Sequence, residues 1–229
     1  MHYLKPLKES FSKHKNNDYA FWMKKYMRNQ FEFYGLRSPE RKDLARLFTK
    51  ENGYPESHEI NDVIKELWNL DEREFQFFAI ELLTKMKKKT DASTIELYEY
   101  LITTKSWWDT VDSIAASLLG YHFIRFPEQI LPYTEKWMDS GHMWLQRSAL
   151  LFQLKYKKET DFDLLTSYII RLMHSQEFFI RKAIGWTLRE YSKTDPNSVI
   201  DFVQQYEEQL SGLSKREALK VIERKNRVI

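Results

Sequence analysis

Val111-Asp112-Ser113-Ile114-Ala115-Ala116-Ser117-Leu118, Leu145-Gln146-Arg147-Ser148-Ala149-Leu150-Leu151-Phe152 and Phe179-Ile180-Arg181-Lys182-Ala183-Ile184-Gly185-Trp186 are three versions of one pattern. In each, a small residue stands among apolar side chains at helical spacing. Ala115 is flanked by Val111, Ile114 and Leu118, Ala149 by Leu145 and Phe152, and Ala183 by Phe179, Ile180 and Trp186. Working outward, the pattern extends to Ala45, Ala79 and Ala218, so that six alanines follow one another at steps of 34, 36, 34, 34 and 35 residues. A fixed step of this length marks stacked helical pairs, in which a small residue lets neighbouring helices approach closely. The reading is all-α: one helical-repeat array over residues 1–229, a curved solenoid whose concave face suits an extended partner.

Composition agrees with an array. The chain has 229 residues, is 42% hydrophobic and 15% aromatic, and contains six glycines and six prolines. Average usage would give about sixteen glycines, so tight-turned sheet folds are disfavoured. With no cysteine, disulfides, thiolate metal sites and thiol catalysis are excluded. No apolar run approaches the roughly 20 residues that cross a bilayer, and the opening MHYLKPLKESF has no signal-peptide core, which reads as a soluble cytoplasmic chain. The six histidines lack ligand spacing, and no phosphate loop or dinucleotide fingerprint occurs, so neither metal nor cofactor is expected.

Breaks between amphipathic segments are expected at 52–55, 87–91, around Pro127, and at 139–141, 158–161 and 194–196. The stretch before Gly35 reads as one or two helices, and Ser38-Pro39-Glu40 as a helix start, since proline suits the first turn. The alanine register also exposes a charge pattern. Six positions after each alanine come Glu51, Lys85, Tyr121, Lys155, Arg189 and Arg224, four of them basic. Net charge is only +3, yet such a row would present local positive charge to phosphates, and it would equally serve as an ordinary solvated face.

The segment richest in chemistry is Lys105-Ser106-Trp107-Trp108-Asp109-Thr110-Val111-Asp112. Ser106 and Asp109 have the spacing of a capping box. Trp107, Val111, Ile114 and Leu118 then form a core face, while Trp108 and Asp112, four apart, share another. An indole beside a carboxylate is either a site or a solvated pair. Arg147, three residues after Trp144, either pairs with an acidic neighbour or clamps a phosphate with its planar fork. Trp186 occupies the register slot held elsewhere by Phe48, Leu82, Leu118, Phe152 and Val221, and by periodicity belongs to the core.

Three runs make the chain recognisable: Lys-Ser-Trp-Trp-Asp-Thr-Val-Asp (105–112), Trp-Leu-Gln-Arg (144–147) with Leu-Phe-Gln-Leu-Lys-Tyr (151–156), and Lys-Ala-Ile-Gly-Trp-Thr-Leu-Arg-Glu-Tyr (182–191). On these the chain closely resembles the AlkD family of bacterial DNA alkylation repair glycosylases, over essentially its whole length. The resemblance implies a HEAT-like superhelix that removes cationic alkylpurines, such as N7-alkylguanine and N3-alkyladenine, from duplex DNA. It implies Asp112 as the catalytic aspartate, Trp108 and Trp186 as sugar contacts, and Arg147 as a phosphate-side arginine. The match at Trp186 overrides the core assignment. Arg189, Lys182 and Lys155 are expected to contact the DNA backbone, and Tyr26 to lie where N-terminal helices approach DNA. Arg37 departs from the family pattern by placing a cation where a neutral polar residue is expected.

One carboxylate suffices if the substrate carries its own activation. Ordinary glycoside hydrolysis pairs two carboxyl groups, but an N7- or N3-alkylated purine is already positive and leaves neutral. The expected protein is a monomer acting on duplex DNA without a cofactor and without a membrane. Two rivals are a non-catalytic helical-repeat protein that binds damaged or branched DNA and a protein–protein scaffold.

Overall fold

The computed structural model describes residues 3–226, and among them the chain is helical, with a single isolated bridge pairing between Glu32 and Glu72 as its only β-type contact. Contacts divide it into two compact units, one ending at Asp91 and one beginning at Ala92. The first holds α1 (Lys5–Lys13), α2 (Asn17–Tyr26), α3 (Ser38–Asn52), α4 (Ile60–Asn69) and α5 (Arg73–Met86). The second holds α6 (Thr94–Thr103), α7 (Trp108–Ser113), α8 (Gly120–Arg125), α9 (Ile130–Asp139), α10 (Met143–Leu151), α11 (Phe162–Leu172), α12 (Phe178–Tyr191), α13 (Pro196–Gln205) and α14 (Gly212–Asn226).

Helix boundaries follow local chemistry. Asn16, Asp161 and Asp195 begin α2, α11 and α13, each accepting a hydrogen bond from a backbone N–H three residues on, which satisfies an otherwise orphaned donor. Pro39 and Pro196 sit in first turns, where their missing N–H costs nothing. Gly53 and Gly141 close α3 and the α9 turn at φ of 73° and 67°, a region that disfavours a side chain. The expected breaks therefore fall where the sequence places them. The capping box does not form: the Ser106 hydroxyl donates to the Ile102 carbonyl at 2.5 Å, tying it to the end of α6 instead. Helix α7 starts at Trp108 with no side-chain cap.

The alanine register sets the packing. All six alanines are buried. In the second unit they lie on α7 and the turns after it, α10, α12 and α14, which pack in that order, α7 and its continuation against α10, α10 against α12 and α12 against α14. Small side chains at the crossings permit the close approach. Between α7 and α8, residues Ile114–Leu119 wind as a π-helix, a wider turn that begins immediately after the Asp112-Ser113 pair.

Polar ties across this unit run at about one repeat. The Tyr168 and Thr134 hydroxyls bond at 2.7 Å across 34 residues, the Trp137 indole donates to Glu99 at 2.7 Å across 38, and the Tyr156 hydroxyl donates to the Gly120 carbonyl at 2.7 Å across 36. Each joins equivalent places on successive pairs and fixes the register of the stack, since a slipped helix would strand buried polar groups.

The tightest crossing is α12 on α14. A Cβ at Gly185 would stand 2.5 Å from Glu217 Cβ and 2.8 Å from the Ser214 carbonyl oxygen. Gly185→Ala is therefore expected to lower stability by about 1–3 kcal/mol through overpacking. Gly212→Ala, whose added Cβ would first meet the flexible end of Arg216 at 3.3 Å, serves as the control and should lose nothing. Denaturant midpoints check the pair, and an unchanged midpoint for Gly185→Ala would contradict the packing described.

Candidate active site

Asp112 and Arg147 meet across one repeat, from α7 and α10. Arg147 Nε donates to Asp112 Oδ1 at 2.7 Å and Nη2 donates to Oδ2 at 2.9 Å, a bidentate fork that fixes the carboxylate in both position and plane. The remaining terminal nitrogen, Nη1, donates to the Phe179 carbonyl in the first turn of α12. The arginine side chain is only 3% exposed and the aspartate 16%, so the pair is enclosed on the arginine side and open on the carboxylate side.

An aromatic cluster lies beside the arginine through Phe179. Trp107 packs on Phe179 at 5.3 Å and on Trp144 at 5.9 Å, and Trp144 lies 5.0 Å from Phe179. The guanidinium stands 5.8 Å from the Phe179 ring centroid. Phe179 thus serves twice, its carbonyl holding one nitrogen and its ring covering the cation. Apolar walls of this kind keep water from the pair and strengthen its electrostatics.

The two surroundings of Asp112 oppose each other. Burial pushes its carboxyl up, with a smaller push from Asp109, while the Arg147 hydrogen bonds and charge pull it down; the net direction is upward from the ordinary aspartate value. Two charge-assisted hydrogen bonds, one to each carboxylate oxygen, favour the ionised form of Asp112 against that burial. The arrangement offers a fixed negative charge, partly desolvated and open on one side, aimed outward from α7. That is a device for stabilising a cation that forms next to it.

The other expected residues fall into three places. Trp108 begins α7, one helical turn before Asp112 and on its face, and is half-buried. Trp186 on α12 is also half-buried, as is Val221 in the same register slot, whereas Phe48, Leu82, Leu118 and Phe152 there are buried. Periodicity alone had assigned Trp186 to the core, and its partial exposure corrects that assignment. Lys182 and Arg189 converge on Glu217 of α14, Lys182 at 2.6 Å, and Glu217 is held below the usual carboxylate range first by the Lys182 hydrogen bond. Lys155 is exposed and donates to the Ser117 hydroxyl at 2.7 Å. Tyr26 lies in the first unit, on α2, and is exposed.

Arg147 makes the acidic pairing that the sequence leaves open beside a phosphate clamp: its guanidinium is buried and bonded to Asp112 and to the Phe179 carbonyl. Sequence reasoning also missed Glu217 and the enclosing part played by Phe179. Lys182 and Glu217 each stand one residue before a register alanine, so opposite charge at one register position was the available signal. Among the described residues no three histidine, aspartate or glutamate side chains gather as a metal site would need.

The family model described as DNA alkylation repair enzyme matches residues 7–222. Among solved structures the chain is similar to one described as a predicted DNA alkylation repair enzyme from Enterococcus faecalis, with 33% identity, a TM-score of 0.83, and coverage of 90% of this chain and 96% of that one. No curated protein matches the chain.

The pair predicts an asymmetry in stability. Removing one partner of a buried ion pair costs about 3–5 kcal/mol, because the other is left uncompensated. Asp112→Ala strands a guanidinium that cannot neutralise itself, whereas Arg147→Met strands a carboxylate that can take a proton or use its open side. Asp112→Ala should therefore lower the unfolding free energy more than Arg147→Met. Denaturant unfolding checks this, and the opposite order would contradict the described burial.

Proposed function

The chain belongs to the DNA alkylation repair enzyme family, and from that footing we propose that it is a DNA glycosylase that hydrolyses the N-glycosidic bond of cationic alkylpurines in duplex DNA, acting as a monomer. The observation that carries the reading is the Asp112–Arg147 pair, a single ionised carboxylate fixed by a bidentate fork and open on one side.

In the proposed reaction the bond between C1′ and the purine nitrogen breaks, and its electron pair neutralises the positive purine as it leaves. No general acid is needed for that departure. Positive charge passes to the sugar, where Asp112 stabilises it at short range in a site that is already organised. Water then adds its oxygen to C1′, and the proton it loses passes to Asp112 or to solvent. Trp108 and Trp186 offer π faces to the cationic nucleotide, each worth about 0.5–2 kcal/mol depending on desolvation. Arg147 holds Asp112 in place with two of its five N–H donors and the Phe179 carbonyl with a third, which leaves one on each terminal nitrogen for a phosphate.

Lys155, Lys182 and Arg189 supply positive charge toward the backbone, with Glu217 setting the geometry of the last two. Two cations on one carboxylate leave one net positive charge there. A phosphate approaching them would gain from it and release counterions, so binding should weaken as salt rises. Tyr26 is an exposed aromatic contact on α2.

The non-catalytic DNA-binding alternative draws on one observation. Asp112–Arg147 is one of several polar ties at repeat spacing, and such a tie could be structural only. A carboxylate held by a bidentate fork and partly exposed, with the Phe179 ring beside its arginine, favours the catalytic reading.

The test is release of free base from duplex DNA containing N7-methylguanine, in single turnover at saturating protein. Wild type is expected to release it, and Asp112→Asn to do so about 10²-fold or more slowly at matched DNA occupancy, the scale for losing a preorganised electrostatic partner. DNA carrying uracil, a neutral lesion, should give little release. Binding without release of the cationic base would leave the scaffold reading standing, and efficient uracil release would defeat the leaving-group argument.

A further inference from the structure

Helix α2 buries little and exposes much. Its inward face is Ala20, with Met27 just beyond its end buried and Met23 half-buried. Outward, Phe21 is 60% exposed, Trp22 61% and Tyr26 71%, with Tyr19 also exposed. Single exposed apolar residues need no explanation, but a contiguous aromatic patch on one short helix marks a surface that meets something.

The rings alternate with cations. Lys25 Nζ lies 5.2 Å from the Trp22 ring centroid, and the Arg37 guanidinium lies 4.8 Å from that of Tyr19. Phe21 stands edge-on to Trp22 at 5.2 Å, with an interplanar angle of 79°, so the indole is steadied from one side. Lys24 is engaged by Glu32 at 2.7 Å, whereas Lys25 and Arg37 are exposed beside the rings.

Three kinds of partner could cover such a face, and charge decides among them. A second copy meeting it about a two-fold axis would set the cations of one α2 face against the same cations of the other. A protein partner would need to bring its own acidic groups into an aromatic contact. Nucleic acid supplies both halves of the complement at once, a π face for each ring and a phosphate for each cation. Within fully paired duplex, base faces are hidden in the stack, so only unpaired nucleotides can use the indole.

We propose that this face of α2 is a stacking platform for unpaired nucleotides of the DNA substrate, with Trp22 taking a base and Lys25 and Arg37 the flanking phosphates. The proposal rests on the reading of the chain as a DNA-acting enzyme and extends it: the surface around Tyr26 continues through Trp22, one helical turn away, and recognises locally opened DNA.

The experiment measures binding, not chemistry, on lesion-free DNA. Two duplexes of equal length are compared by fluorescence anisotropy, one fully paired and one with a short unpaired run. Wild type should favour the opened duplex, and Trp22→Ala should erase that preference, a change of about 5- to 100-fold, the range for one base–aromatic stack. Lys25→Ala should keep the preference while reducing the slope of log affinity against log salt by about 0.7–0.9, one phosphate contact. Equal affinity of wild type for both duplexes overturns the proposal, as does a preference that survives Trp22→Ala. Sedimentation showing a wild-type dimer that Trp22→Ala dissociates would also overturn it, assigning the face to a second copy. Because the DNA carries no lesion, a preserved preference in a protein that releases no base would sink the glycosylase reading alone.

Discussion

A carboxylate that is to stabilise a forming cation must stay ionised, stay still and stay partly dry. These demands conflict, because drying a carboxylate favours its neutral form. The Asp112–Arg147 pair reconciles them. Burial pushes Asp112 upward, while hydrogen bonds from Arg147 to both of its oxygens pull it down and favour the charged form. Arg147 is in turn anchored by the Phe179 carbonyl, with the Phe179 ring beside its guanidinium. Helices α7, α10 and α12 must all be in register for this to form, so the stacking of the second unit is a condition of the site.

The same stacking is the fold. Alanines at nearly constant steps let successive helices approach, and polar ties of about one repeat fix how they align. Asp112–Arg147 is one of those ties, spanning 35 residues, and in the proposed reaction its partly exposed carboxylate carries the chemistry. Lys182–Glu217, also 35 apart, shows the alternative fate of such a pair, with its cation left more accessible. A repeat architecture supplies many equivalent positions, and function arises where one of them is left unfinished.

How much of this the sequence discloses depends on the range of the interaction. The alanine step, the prolines at helix starts and the glycines at turns act within a few residues or at fixed spacing, so the helices and their breaks were legible. Asp112 and Trp108 were legible as neighbours because they share a helix. Their relation to Arg147 was not: a buried arginine three residues after a tryptophan reads equally well as a phosphate clamp until α10 is set against α7 and α12. The Ser106–Asp109 spacing misled for a related reason: the helix is capped at Trp107, so Ser106 lies one position outside it and turns its hydroxyl back to the Ile102 carbonyl. Trp186 shows the reverse case, in which a slot that is core at Phe48, Leu82, Leu118 and Phe152 is half-open here, as it is at Val221, and periodicity averages that difference away.

The central claim is that one ionised carboxylate, set by its buried arginine, does the chemistry on a leaving group that needs no proton. The pH dependence of single-turnover base release from N7-methylguanine DNA tests it most directly. Asp112 is pushed upward from the ordinary aspartate value of about 3.9. The rate should therefore be constant near neutrality and fall, as pH drops, along a single one-proton limb centred above that value. Arg147→Met, by removing the cation, should move the limb to higher pH. A rate that rises on acidification, or a bell-shaped profile requiring a protonated group, would contradict the account.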